Sequence, residues 1–234
     1  MTETASTAAR LHAGGAAAWD ASDAVLAYLE RTLQSGWRTL ETGAGRSTLL
    51  FAQKSCLHHA VTPSGSEIAA IQTSAESEGV DLSAVSFHKG FSQDVLPRLE
   101  AGEFDLVFID GGHGFPIPAV DFQFLAPRLA VGGLLLIDDV DLWTGDMIVQ
   151  VLRRDAGWRF DGKLKGRTAV FRKLQPYVAH EWTKQPYVVR KSWWPQTGRK
   201  LRNGLGLLAR GDLGAAARKL ANERRLRESA RNDA

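Results

Sequence analysis

Five side chains in this sequence could do chemistry by type and position: Glu41, Asp110, His113, Asp138 and Asp139 each lie at or just past the end of a short apolar run. Carboxylates placed there can meet a cation or take up a proton, and an imidazole titrates near neutral pH. The set therefore suits proton transfer, or a ligand that carries positive charge. A glycine turn adjoins the first of them, in Thr39-Leu40-Glu41-Thr42-Gly43-Ala44-Gly45-Arg46-Ser47-Thr48. Glycines at 43 and 45 permit a sharp turn and let a ligand approach the peptide groups of Gly43, Ala44 and Gly45 with no Cβ in the way. A helix beginning near Ser47 would face that ligand with its N-terminus.

Two ligand classes use such a turn. A dinucleotide site wants a third glycine three residues after the second, where this chain has Thr48, and an acidic residue at the end of the next strand, where it has Val61-Thr62-Pro63. An acid-x-Gly-x-Gly turn instead suits S-adenosylmethionine, because Glu41 at the strand end can answer the ammonium and the nearby sulfonium. The turn fits S-adenosylmethionine better than NAD. An ordinary tight turn with a packing role is the plain alternative.

The elements that would position these groups follow from periodicity. Apolar runs at 38–42, 57–61, 85–88, 104–109 and 134–137 alternate with helical stretches at 47–54, 66–78, 93–99, 119–129 and 145–155. This alternation predicts an α/β fold of crossover units on a parallel sheet with helices on both faces. Two further strands, at 158–161 and 168–171, have only the turn-rich segment 162–166 between them, so they form an antiparallel hairpin on the sheet edge. The sheet then has seven strands, mostly parallel. Ahead of it, Ser22 caps a helix whose Val25, Leu26, Leu29 and Leu33 fall on one face, and Gly36 ends it. The domains read as a leader over 1–21, a globular domain over 22–174 and a basic helical extension over 175–234.

Two segments make the pattern specific. Phe104-Asp105-Leu106-Val107-Phe108-Ile109-Asp110-Gly111-Gly112-His113 and Gly132-Gly133-Leu134-Leu135-Leu136-Ile137-Asp138-Asp139-Val140 resemble the class I S-adenosylmethionine-dependent methyltransferases, and are most similar to their bacterial small-molecule O-methyltransferase-like group. The resemblance covers about residues 36–173, including the terminal hairpin, and implies a Rossmann-like fold. It places Glu41, Gly43, Ala44, Gly45, Ser47 and Asp110 around the cofactor, with Phe91 and Ser92 at the adenine. The family ends its second strand in an acidic residue that grips the ribose hydroxyls. Here Thr62-Pro63-Ser64 stands instead, leaving Glu67 or the Ser64 hydroxyl to substitute.

Methyl transfer to a hydroxyl needs positioning and a route for the proton. Two mechanisms are compatible with these residues. In the first, which the metal-dependent catechol-type relatives suggest, Asp110, Asp138 and Asp139 share one Mg²⁺ or similar divalent cation that activates the acceptor. In the second, His113 is the general base, with Asp110 beside it on the acceptor. The acceptor is then a small-molecule or lipid-linked compound. The other readings are a non-catalytic protein that keeps the fold for binding, and a nicotinamide-dependent oxidoreductase. Individual residues also have plainer roles: Asp138 and Asp139 as caps of the following turn, His113 as a solvated turn residue, and His58 and His59 as packing or surface residues. Trp143 lines an aromatic acceptor pocket or belongs to the core, and Phe115-Pro116-Ile117-Pro118 makes a stiff lid edge.

Composition bounds the rest. The chain has 234 residues, 44% hydrophobic and 24% charged, which allows one sizeable core. The lone Cys56 excludes an intramolecular disulfide and a thiolate metal cluster. No apolar run reaches membrane-spanning length and no secretory layout opens the chain, so a cytoplasmic protein is expected. The net charge of +3 divides unevenly: residues 1–174 hold 16 basic and 21 acidic side chains, residues 175–234 hold 13 and 5. The basic extension, with Trp193 and Trp194 among its arginines, reads as an arm for homodimerisation or as a peripheral contact with an anionic membrane surface. No recognisable motif supports nucleic acid.

Overall fold

Side chains alternate across a strand, so the central strand β4 (Phe104–Ile109) must bury two faces: Leu106 and Phe108 enter one core, Val107 and Ile109 the other. A strand buried on both sides needs helices on both sides. The computed structural model, which describes residues 21–209 and position 214, meets that requirement. Its elements in chain order are α1 (Asp23–Thr32), β1 (Arg38–Thr42), α2 (Arg46–Gln53), β2 (Leu57–Thr62), α3 (Gly65–Glu78), β3 (Val85–Lys89), α4 (Ser92–Val95), β4, α5 (Ile117–Leu125), β5 (Leu129–Ile137), α6 (Trp143–Leu152), β6 (Trp158–Leu164) and β7 (Thr168–Lys173).

The strands form one sheet in the order β3-β2-β1-β4-β5-β7-β6. Pairing is parallel from β3 to β5 and antiparallel from β5 through β7 to β6. The last strand of the domain therefore inserts between β5 and β6, with Ile137 opposite Ala169. On one face, α1 and α2 pack Val25, Leu29 and Phe51 against Leu106, Phe108, Leu136 and Val170. On the other, Leu125, Ile148, Val149 and Leu152 cover Leu40, Val107, Ile137 and Phe171. Ser22 caps α1 by accepting from the Val25 N–H at 3.4 Å.

Element ends differ from the expected ones for local reasons. The fourth helix keeps only Ser92–Val95 before a 3₁₀ turn over Leu96–Arg98, because Pro97 lacks the N–H that an α-helical bond needs. The fifth helix stops at Leu125, close to Pro127, and β5 begins at Leu129 rather than 134, with a register shift against β4 that Gly132 (φ +90°) permits.

Close contacts divide the chain into two units, Met1–His180 and Glu181–Ala234. The second contains α7 (Pro186–Ala209), which has Pro195 inside it and exposes Trp193 and Trp194. Most of the leader, and the basic helical extension beyond 209 apart from position 214, lie outside the described residues. No helix among the described residues is long and apolar enough to cross a membrane.

The two-faced core gives a direct expectation. Phe108 is fully buried, so Phe108→Ala should cost about 3–5 kcal/mol of unfolding free energy in urea denaturation. A loss below about 1 kcal/mol would show that this face of the sheet is not closely packed.

Candidate active site

The strand order reverses direction between β1 and β4, and open α/β sheets hold ligands outside the carboxyl ends of the strands at such a point. A cavity of about 610 Å³ lies there, a size that suits a small molecule or cofactor. Its wall includes Gly43, Ala44, Gly45 and Ser47 from the glycine turn, Thr62, Ser64 and Glu67 after β2, Phe91 and Ser92 after β3, and Asp110 and His113 after β4. Ala21, at the end of the expected leader, is buried and lines it too.

Gly43 can be nothing larger. Its φ is +98°, and a Cβ built on it would lie 2.5 Å from the Asp110 carbonyl oxygen. The close approach is held by backbone bonds on both sides: the Gly43 N–H donates to the Val61 carbonyl at 2.8 Å, and the Asp110 N–H to the Thr42 carbonyl at 3.1 Å. The turn is thus pinned to β2 and β4 at once.

Glu41 is not in the cavity wall. Its carboxylate is 1% exposed and turned beneath the turn, where it accepts from Ser47 Oγ at 2.6 Å and from the Thr48 hydroxyl, with His58 Nε2 at 3.3 Å. The Thr48 oxygen also accepts from the Gly45 N–H at 3.0 Å. His58 in turn has Thr39 Oγ1 at 2.8 Å from Nδ1 and stacks on Phe51 at 4.2 Å. Assigning the His58 proton to Nε2 satisfies every partner. His58 is therefore a buried support of Glu41, whereas His59 pairs with His88, Nδ1 to Nε2 at 2.9 Å, away from the cavity.

The acidic strand ends converge as the spacing suggested, but they meet a side chain that the sequence reading overlooked. Arg167 Nε stands 2.5 Å from Asp139 Oδ1 and 3.5 Å from Asp138 Oδ2. Thr168 Oγ1 donates to Asp138 Oδ1, and His113 Nε2 lies 3.0 Å from Asp139 Oδ2. Asp110 stands on the cavity side of this group. Burial first, then the charges of Asp138 and Glu41, push its carboxyl well above the usual carboxylate range and favour its protonated form. Asp138 and Asp139 do not line the cavity, so only His113 and Asp110 bring this cluster to it.

Residues 40–140 match the family model described as a methyltransferase domain. The matched stretch, from β1 to just past β5, is a methyltransferase domain. No curated protein matches its sequence significantly. Among solved structures, the methyltransferase is similar to the O-methyltransferase TomG from Streptomyces achromogenes, in complex with S-adenosylmethionine, at 20% identity over 67% of this chain and 82% of that one, TM-score 0.54. A cofactor-bound protein from MTB is 21% identical over 66% and 81%, TM-score 0.53. A Podospora anserina methyltransferase bound to S-adenosylhomocysteine is 20% identical over 64% and 76%, TM-score 0.51. These likenesses are of fold.

The chemistry of the wall fits a cationic nucleoside cofactor: the side-chain-free backbone of the glycine turn and the start of α2, the Glu67 carboxylate near the end of β2, and the exposed Phe91 ring beside Ser92. Glu67 reaches that place because Ser64 Oγ accepts its N–H at 3.2 Å while Thr62 Oγ1 donates to its Oε2 at 2.8 Å. The Mg²⁺ of the first mechanism fits these side chains less well. The gap between Asp138 and Asp139 is taken by a guanidinium, and among the described residues no group of three or more His, Cys, Asp or Glu is arranged to hold a metal ion. The sequence reading also missed Asp121 of α5, a fully buried carboxyl near Thr42 and Ser92. Burial raises its pKa, against the lowering effect of those two hydroxyls.

Two outcomes follow. Gly43→Ala should weaken S-adenosylhomocysteine binding by about tenfold or more in calorimetry. Gly36→Ala, also at positive φ but with open space around its Cβ, should leave that affinity unchanged. A raised folded-state pKa contributes stability only at low pH, and that contribution is lost as pH rises through the folded value. Asp121→Asn should therefore raise the melting temperature near pH 8, and the advantage should shrink toward pH 4, as read by calorimetric scans; an advantage independent of pH would refute the assignment.

Proposed function

We propose that this methyltransferase moves the methyl group of S-adenosylmethionine to a hydroxyl oxygen of a small-molecule acceptor, with His113 as general base. The observation that carries the reading is the imidazole of His113 in the cavity wall with the Asp139 carboxylate 3.0 Å behind its Nε2. When bound, the sulfonium cofactor supplies an already activated methyl group. The protein is left to align the acceptor and to take its proton. The Asp139 carboxylate beside Nε2 favours a proton on that nitrogen, which leaves Nδ1 as the one that can accept the acceptor's proton. The Thr144 hydroxyl donates to the His113 carbonyl at 2.7 Å, tying the histidine loop to the first turn of α6.

The acceptor side is apolar. Phe115, two residues past His113, is 69% exposed, Trp143 is 66% exposed, and their ring centroids are 6.0 Å apart. Exposed rings so close to the base support an acceptor with a flat apolar body and a hydroxyl. On the cofactor side, Glu67 supports the reading that its carboxylate serves the ribose hydroxyls in place of a strand-end acid. In the Glu181–Ala234 unit, the exposed Trp193 and Trp194, close in sequence to Arg190 and Lys191, support an association arm, for a second copy or an anionic surface.

Radiolabelled S-adenosylmethionine with a panel of phenols, catechols and hydroxy acids tests the reading. At least one hydroxyl should be methylated, and His113→Ala should slow transfer by about 10²–10⁴-fold with S-adenosylhomocysteine affinity unchanged. Transfer that survives the substitution would remove His113 from the base role. Cofactor binding with no transfer to any acceptor would favour the non-catalytic alternative.

A further inference from the structure

The antiparallel register of the last strand delivers one side chain to the acidic cluster. With Ile137 opposite Ala169, continuing the ladder sets Thr168 beside Asp138 and Arg167 beside Asp139. The backbone of Arg167 is fixed from both sides: its carbonyl accepts from the Val140 N–H at 2.9 Å, and its own N–H donates to the Leu164 carbonyl at 3.1 Å. All four carboxylate oxygens of the Asp138–Asp139 pair are then engaged. Asp138 has Thr168 and Arg167, and Asp139 has Arg167 and His113.

Asp139 is held in this position against its own backbone preference. Its φ is +49°, left-handed for a residue that is not glycine, and α6 approaches so closely that a Cβ on Gly145 would lie 2.9 Å from the Asp139 carbonyl oxygen. Such a conformation persists when the surroundings over-determine it, and here the surroundings are Arg167 on one carboxylate oxygen and His113 on the other.

We propose that Arg167 is the resident cation of the acidic cluster at the ends of β4 and β5: its guanidinium takes the place a divalent ion would need and holds Asp139 against His113. A guanidinium is charged at every physiological pH, so it serves as a permanent counter-charge beside both carboxylates. A divalent ion such as Mg²⁺ demands oxygen ligands closed tightly around it, and these carboxylates instead close on nitrogen. Arg167 is a positioning residue, two contacts removed from the reacting atoms. Its role toward His113 rests on the reading of His113 as base, whereas its role as cation does not.

Manganese binding separates the two, because it needs no methyl acceptor. Titrated with Mn²⁺ and followed by electron paramagnetic resonance of the free ion, the wild-type chain should show no stoichiometric binding at millimolar concentration, and EDTA should leave its melting temperature unchanged. Arg167→Gln uncovers the carboxylates and should bind Mn²⁺ at least about tenfold more tightly than wild type, with a matching rise in melting temperature. Arg167→Lys keeps the charge and should not gain this affinity. Stoichiometric Mn²⁺ binding by the wild type overturns the proposal, even where Arg167→Gln does not fold, and so does an Arg167→Gln chain that folds but gains no affinity. In an assay with a working acceptor, Arg167→Gln should lower kcat by tenfold or more, as an order of magnitude, with S-adenosylhomocysteine affinity unchanged. Unchanged kcat overturns the positioning role alone and leaves the base reading to its own test.

Discussion

The cofactor end of this methyltransferase depends on one buried carboxylate. Glu41 gathers Ser47, Thr48 and His58 around itself beneath the glycine turn, and Thr48 passes the restraint on to the Gly45 N–H. A carboxylate taken out of water is costly unless every lone pair finds a donor. Satisfying it fixes the start of α2, the exit of β1 and the ring of His58 together. The turn's geometry is thereby imposed from below, with Gly43, Ala44 and Gly45 left in the cavity wall.

The same rule organises the opposite wall with the signs shared out differently. Asp110, Asp138 and Asp139 crowd the ends of β4 and β5, where like charges at short range repel strongly. The protein relieves this in two ways. Asp110, on the cavity side, is driven toward its neutral form, and Asp138 and Asp139 are faced by Arg167 and His113. One face of the cavity is therefore held by hydroxyl donors on a carboxylate, and the other by a cation between carboxylates. The body's excess of acidic over basic residues gathers where a positively charged ligand is used.

Local pattern made most of the scaffold legible. Runs such as 104–109 are apolar enough to read as strands buried on both faces, and the turn-rich segment 162–166 marks the hairpin with no help from tertiary structure. The glycine turn and the strand-end acids were legible because their spacing is short. What lay hidden depends on direction and register. Nothing local says that Glu41 turns away from the ligand side, since that follows from hydroxyls six and seven residues ahead on α2. Arg167 reads as an ordinary turn arginine until the pairing of Ile137 with Ala169 is known. Asp121 sits within an apolar helix, where a single acidic residue gives no sign of whether it faces water or the interior.

The position of β7 has a consequence for how the chain is made. A nascent polypeptide leaves the ribosome with Asp110, Asp138 and Asp139 well ahead of Arg167, so the strands that carry the acids are exported before their counter-charge exists. Because β7 enters the sheet between β5 and the earlier-made β6, neither β6 nor the acidic cluster can reach its final neighbours until β7 has been made. A chain released before that point is not a shorter version of the enzyme. It carries an exposed sheet edge beside an unbalanced acidic pocket, a combination that protein quality control can distinguish from the finished domain.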